Sequence, residues 1–186
     1  MAELRKENYT DQATGIYLRY MTEMDTDKIV AWRNTESIRS RFIYRGDFTR
    51  EIHLSWIRNM VDTGKVVQLI ICDINTDEAL GSVYIRDIDR LHSRAEYGIF
   101  IGEPSARGRG VGSAVARLML KYCFEEEKLH RVYLRVLSDN EAAIGSYQNA
   151  GFLKEALLRE DVFLDGAYKD VILMGICEKD YYDKNR

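Results

Sequence analysis

The sequence predicts a mixed α/β domain, and three observations carry that expectation. Alternating β-rich runs are joined into hairpins by turn signals: Asn75-Thr76-Asp77-Glu78 between two runs in the first half, and Asp165-Gly166 between the last two. Two stretches with helical periodicity interrupt the strands, one opening at about Gly110 and one at Asn140. The chain has 186 residues and 46% hydrophobic content, enough for one sizeable core. The domain is expected over residues 15–178, with a loose polar tail at 1–14 and a second tail at 179–186.

In chain order, Ile16 to Tyr20 alternates apolar and polar residues and suits a first strand. Thr22 or Asp25 caps a helix that carries Ile29, Val30 and Trp32 and ends near Asn34. Thr49 starts a second amphipathic helix through Ile52, Trp56, Ile57 and Met60, which Gly64 stops. Val66 to Asp73 and Leu80 to Ile88 form the first hairpin, and Ala95 to Ile101 adds a strand with Gly98 in its middle. A glycine there marks either a bulge or a close backbone approach. After the only proline, Pro104, a helix buries Val111, Ala114, Val115, Leu118, Met119 and Tyr122. Arg131 to Leu137 alternates, with Val132, Leu134 and Val136 on one face. Asn140 caps the next helix and Gly151 ends it. Phe152 to Leu164 and Ala167 to Cys177 close the chain as a hairpin.

Composition excludes several classes of function. Net charge is −3 and the basic residues are scattered, which argues against nucleic acid as a partner. Cys72, Cys123 and Cys177 lie inside apolar runs with no metal-ligand spacing, so reduced buried thiols and no metal are expected. With no signal peptide and no apolar run of spanning length, a cytoplasmic protein without a membrane partner is the expectation.

The most informative stretch is Arg107-Gly108-Arg109-Gly110-Val111-Gly112-Ser113. A helix start leaves backbone N–H groups unpartnered and carries partial positive charge; glycines admit a ligand to that backbone and arginines add counter-charge. The stretch suits a phosphate or diphosphate, against the competing reading of a flexible turn before a core helix. A Walker loop would need Gly-Lys-Ser/Thr, and a dinucleotide fingerprint Gly-x-Gly-x-x-Gly after the first strand; neither spacing is present. The pattern that fits is Arg-x-x-Gly-x-Gly, filled by Arg107, Gly110 and Gly112. It resembles the acyl-CoA diphosphate loop of the GCN5-related N-acetyltransferases (GNAT), and Asn140, Ala143, Tyr147, Gly151 and Phe152 match that family's second block. The resemblance runs from about Ile16 to Cys177. It implies the GNAT fold (a mixed, mostly antiparallel central sheet flanked by helices, with strands splayed at the acetyl-CoA cleft), acetyl-CoA as co-substrate without a metal, and transfer of acetyl to a primary amine by direct attack. A homodimer is the family's habit. A non-catalytic acyl-CoA-binding module is the alternative of another class.

Acetyl transfer requires the amine to lose a proton, the carbonyl oxygen to be stabilised as it gains charge, and the thiolate to leave. An alkyl amine titrates near ~10, so a base helps at neutral pH. The resemblance places Glu96 beside the thioester as a base acting through water; the competing reading is a surface carboxylate paired to Arg94. Tyr147 matches the family's general acid, against a plain core tyrosine on the face of Ala143 and Ile144. Backbone N–H groups at a bulge after Gly98 are the candidate oxyanion donors. The cofactor candidates are Ile99, Phe100 and Ile101 on the strand, Arg107, Gly108, Arg109, Gly110, Val111, Gly112 and Ser113 at the helix start, and Asn140.

For the acceptor the candidates are Trp32, Arg33, Tyr44, Trp56 and Tyr84, with a helix-core role as the competing reading for Trp32, His53 and Trp56. Trp32-Arg33-Asn34 with His53-x-x-Trp56 resembles the GNAT branch that acetylates amino-sugar nucleotides. The same segment also resembles the ribosomal-protein N-terminal and the spermidine acetyltransferase branches. Arg33, Arg39, Arg41, Arg45, Arg50 and Arg58 favour an anionic acceptor such as a nucleotide sugar over a polyamine.

Overall fold

Eight strands form one sheet in the computed structural model, which describes residues 4–184. The strands are β1 (Thr10–Asp11), β2 (Ile16–Tyr20), β3 (Val67–Asp73), β4 (Ala79–Asp89), β5 (Arg94–Ile101), β6 (Arg131–Leu137), β7 (Leu153–Leu164) and β8 (Ala167–Cys177), in spatial order β1-β2-β3-β4-β5-β6-β8-β7. Every neighbouring pair is antiparallel except β5 and β6. That parallel ladder is brief: Arg94, Ala95 and Glu96 pair with Arg131, Val132 and Tyr133. Both strands run on past it without pairing, so the sheet opens between them.

Helices cover the two faces. On one side lie α1 (Thr26–Arg33), α2 (Glu36–Arg39) and α3 (Arg50–Trp56), whose apolar residues Ile29, Trp32 and Ile38 pack with Tyr17, Ile70, Cys72 and Phe100. On the other lie α4 (Val111–Lys121) and α5 (Glu141–Ala150), burying Val115, Met119, Ile144 and Tyr147 against Val83, Ile85, Tyr97 and Val132. Strand alternation therefore sends Glu96, Gly98 and Phe100 to the α1–α3 face and Tyr97, Ile99 and Ile101 to the α4–α5 face. The Asp165-Gly166 turn has positive φ at both residues, 52° and 80°, as a two-residue hairpin of this twist requires. Thr22 and Asp25 both take part in the first cap: the Thr22 backbone N–H donates to the Asp25 carboxylate at 2.9 Å, and Asp25 precedes α1.

Three local expectations are corrected. The stretch 4–14 is not loose, because Tyr9 is 2% exposed against Tyr122 and β1 pairs with β2. At the other end α6 (Glu178–Lys184) replaces the expected tail, seating Tyr181 on Phe124 at 5.0 Å between ring centroids. The register of β4 with β5 is continuous through Gly98, with its shift between Arg86 and Asp89, so no bulge follows the glycine. Gly98 is instead a close approach: an added Cβ would lie 2.3 Å from the Tyr84 Cζ.

Candidate active site

A cleft of about 800 Å³ occupies the opening where β5 leaves β6. Its floor is Tyr97 to Ile101 of β5; the helix-start loop, the first turns of α5 and the segment 37–44 form its walls. Thus elements far apart in the chain supply the cofactor candidates and the acceptor candidates to one cavity.

At the loop, Gly110 caps α4 at φ 79°, and Gly108 has φ 71°. Both conformations cost an L side chain free energy and leave the backbone bare. Gly108, Gly110, Val111, Gly112 and Ser113 all line the cleft. Arg107 behaves differently from the expected counter-charge. Its Nε donates to the Ile101 carbonyl at 3.1 Å and one guanidinium nitrogen to the Gly102 carbonyl at 3.2 Å. It ties the loop to the end of β5, which leaves Arg109, exposed on the loop, as the freer positive charge. The bare amides at the head of an eleven-residue helix, beside an arginine, are a donor set that fits a diphosphate. Asn140 caps α5, accepting from the Ala143 backbone N–H at 3.4 Å, and also borders the cavity.

Tyr147 lies on α5, 9% exposed, its ring edge-on to Tyr97 at 5.9 Å and to Phe152 at 6.0 Å. Burial pushes its phenol well above the ordinary value, which keeps it protonated. It touches both the core and the cleft, so the catalytic and packing readings describe one side chain. Beside it, the Tyr97 hydroxyl is buried without a hydrogen-bond partner.

On the opposite face Glu96 is 8% exposed and borders the cleft. Its partner is not Arg94, which pairs with Asp89, but Arg86, whose Nε and a second guanidinium nitrogen reach Glu96 Oε2 at 3.2 and 3.1 Å. Arg86 stands directly across from Glu96 in the ladder, and the carboxylate holds its guanidinium charged against burial. Sequence reasoning passed over Arg86. The signal was present, since Tyr84 and Arg86 alternate onto one face once the hairpin is paired.

The acceptor candidates divide. Tyr84 and Tyr44 line the cleft, with Arg86 5.4 Å from the Tyr44 ring centre. Arg33 sits at the edge, its guanidinium 3.5 Å over the Phe42 ring, and burial pushes its pKa down. Trp32 and Trp56 are not brought there. Trp32 packs on Phe100 and donates to Glu103 at 3.0 Å, while Trp56 donates to the Gln68 side chain at 3.0 Å. Trp32 is a core residue on the α1–α3 side and Trp56 is half-buried and held to Gln68; neither lines the cleft. His53 likewise lies in the interior, with Nδ1 3.1 Å from Thr26 Oγ1 and Nε2 unpartnered; burial lowers its pKa to about 4. Cys72 and Cys123 are buried free thiols, and among the described residues no group of metal-binding side chains occurs. Nor is any described helix long and apolar enough to cross a membrane.

Comparison with known proteins agrees with this geometry. Residues 16–153 match the family model described as an acetyltransferase (GNAT) domain. The chain is 30% identical over 170 residues to a spermidine N(1)-acetyltransferase of Escherichia coli, covering 91% of this chain and 85% of that one. It is 27% identical over 119 residues to an L-amino acid N-acetyltransferase of the same species, covering 64% and 73%. Among solved structures, the spermidine N-acetyltransferase of Vibrio cholerae in complex with CoA and spermine superposes with a TM-score of 0.85 at 25% identity, covering 91% of this chain and 99% of that one. The chain belongs to the GNAT family and is an acetyl-CoA-dependent N-acetyltransferase.

Proposed function

We propose that the chain acetylates a small primary amine by direct attack, with donor and acceptor meeting across β5. The observation that carries this reading is the opening beyond Glu96: the helix-start loop lies at its mouth, Tyr147 on one face and Glu96 on the other. Acetyl-CoA supplies the activated acyl group. The amides of 108–113, with Arg109, hold its diphosphate, and Arg107 fixes that loop to β5. Alternation points the Ile99 backbone groups and the Ile101 N–H to the edge that β6 has left, free to bond the pantetheine amides, while the Ile101 carbonyl accepts from Arg107 and Phe100 faces β4. Glu96 takes the ammonium proton through a water, and Tyr147 returns a proton to the sulfur. Cys123 is buried in the core on the α4–α5 side, which argues against an acyl-cysteine step.

Two acceptor classes have support. A polyamine is favoured by the spermidine acetyltransferases to which the chain is similar. An amine that also carries an anionic group is favoured by the cleft itself, where Arg41 and Arg86 stand on the acceptor wall and Arg33 at its edge. Arg86 is offset by its pair with Glu96, so the excess positive charge that a polycation would meet is that of Arg41 with Arg33 beyond it, and on that ground we take the anionic group as the better fit. The narrower amino-sugar nucleotide goes beyond what this charge supports. The test is thiol release from acetyl-CoA with spermidine, amino acids and anionic amino sugars as acceptors. Turnover of an amine bearing a carboxylate or phosphate above spermidine is expected. Spermidine as the best acceptor establishes the polyamine instead, and no turnover with any amine overturns the enzyme reading of the cleft.

A further inference from the structure

Tyr84 and Gly98 face each other in the β4–β5 ladder, both on the face that carries Glu96. The ring does not stand upright beside its neighbour but lies across it. A Cβ built on Gly98 would come within 2.3 Å of the Tyr84 Cζ and 2.5 Å of its Oη. The hydroxyl end of the phenol, not merely the ring edge, therefore sits over the β5 backbone. Gly98 is the second residue beyond the last β5–β6 pair, so this hydroxyl hangs at the lip of the opening. Among the described residues it makes no hydrogen bond.

Its electrostatic surroundings come from both faces. Arg33, Arg86 and Glu96 act on it from the acceptor side, and Tyr147 feels it from the other. An aromatic ring also lies over a glycine at Trp32 and Gly102, where it packs in the core; what sets Tyr84 apart is the hydroxyl that its ring carries to the opening.

We propose that the Tyr84 hydroxyl, laid over Gly98, orients the acceptor: it accepts a hydrogen bond from the attacking nitrogen at the opening, opposite Tyr147. This rests on the acetyl transfer argued above. Glu96, one strand position pair away on the same face, removes the proton from a nitrogen whose lone pair Tyr84 has turned toward the gap. A larger residue at 98 would displace the phenol, which is why the glycine enters the test below.

The test is steady-state kinetics with acetyl-CoA and the best amine of the acceptor panel. Tyr84→Phe keeps the ring and removes the hydroxyl; kcat/KM for the amine is expected to fall about 10- to 100-fold, with KM for acetyl-CoA within about two-fold of wild type. Gly98→Ala, which retains the hydroxyl but displaces it, is expected to fall comparably. The double variant should fall no further than the weaker single variant, because both changes remove one contact. Wild-type kcat/KM in Tyr84→Phe overturns the proposal, whether or not Gly98→Ala folds. A wild-type protein that acetylates no amine instead overturns the parent reading.

Discussion

The two faces of β5 teach different lessons about how this cleft is built. On the α4–α5 face, Tyr97, Ile99 and Ile101 join the large apolar core, and the polar groups offered to the cleft are backbone amides of the glycine loop and the Tyr147 phenol. On the α1–α3 face, Glu96, Tyr84 and Arg86 offer the cleft charged or polar side chains. In the proposed reading the first face holds acetyl-CoA, for whose diphosphate bare backbone amides are a sufficient donor set. In the same reading the second face meets the acceptor, where side-chain charge and hydrogen bonding decide what fits.

The largest effect is expected where the two faces meet in chemistry. Tyr147→Phe keeps the ring that packs on Tyr97 and Phe152 and removes only the hydroxyl. Loss of a general acid costs about 10²- to 10³-fold in kcat, while KM for acetyl-CoA stays near wild type. Steady-state rates at saturating acetyl-CoA measure it. Unchanged kcat would make Tyr147 a packing residue and leave the α4–α5 face with no proton to give.

Across the strand, Glu96→Gln is expected to lower kcat about 10- to 100-fold at neutral pH. The deficit should shrink as pH rises, because an alkyl amine titrating near ~10 deprotonates unaided there. A deficit independent of pH would mean that Glu96 serves the fold through Arg86 rather than the reaction. The ratio of variant to wild-type rate, measured across the alkaline range, separates the two.

A smaller effect lies deeper on the acceptor side, at His53. Its imidazole is 1% exposed with Nε2 unpartnered, and its pKa falls to about 4 from the ordinary 6.5 because burial opposes the charged form. The unfolded chain therefore binds a proton that the folded chain refuses. Stability from this residue is complete above about pH 6.5 and is lost as pH falls toward 4, by about 2 kcal/mol between pH 7 and 5. Denaturant melts of wild type and His53→Gln over that interval measure it. A variant with the same pH slope as wild type would show that other groups cause the acid loss.

The same contrast explains how much was legible beforehand. The glycine loop, the Asn140 cap and the Tyr147 block declare themselves in sequence because each depends on spacing within one segment: Gly110 must be left-handed, and Tyr147 must sit two turns after its cap. The hairpins were legible for the same reason, since Asp165-Gly166 carries its conformation locally. Arg86 was not, because its meaning depends on a register that brings residues 86 and 96 together. Trp32 and Trp56 misled because an indole at helical spacing reads alike whether it faces a substrate or, as here, donates to a glutamate or a glutamine on a neighbouring element. The ordered end segments were missed because Tyr9 and Tyr181 are single anchors within polar stretches, with no period to announce them.

The smallest effect tests whether the α4–α5 face relies on side-chain polarity at all beyond Tyr147. Tyr97 is 3% exposed, its ring packs 5.9 Å from Tyr147 and 5.7 Å from Phe152, and its hydroxyl is buried with no partner. A buried hydroxyl left unpaired costs about 1 kcal/mol or more, since the water it bonded in the unfolded chain is not replaced. Tyr97→Phe removes that cost and keeps the ring. The variant should gain about 1 kcal/mol in denaturant melts, with kcat and KM for acetyl-CoA unchanged. Were Tyr97→Phe instead to lose both stability and turnover, the hydroxyl would have a partner in the loaded enzyme. The α4–α5 face would then recognise by side chain as the acceptor face does, and the contrast between the two would reduce to the amides of the glycine loop.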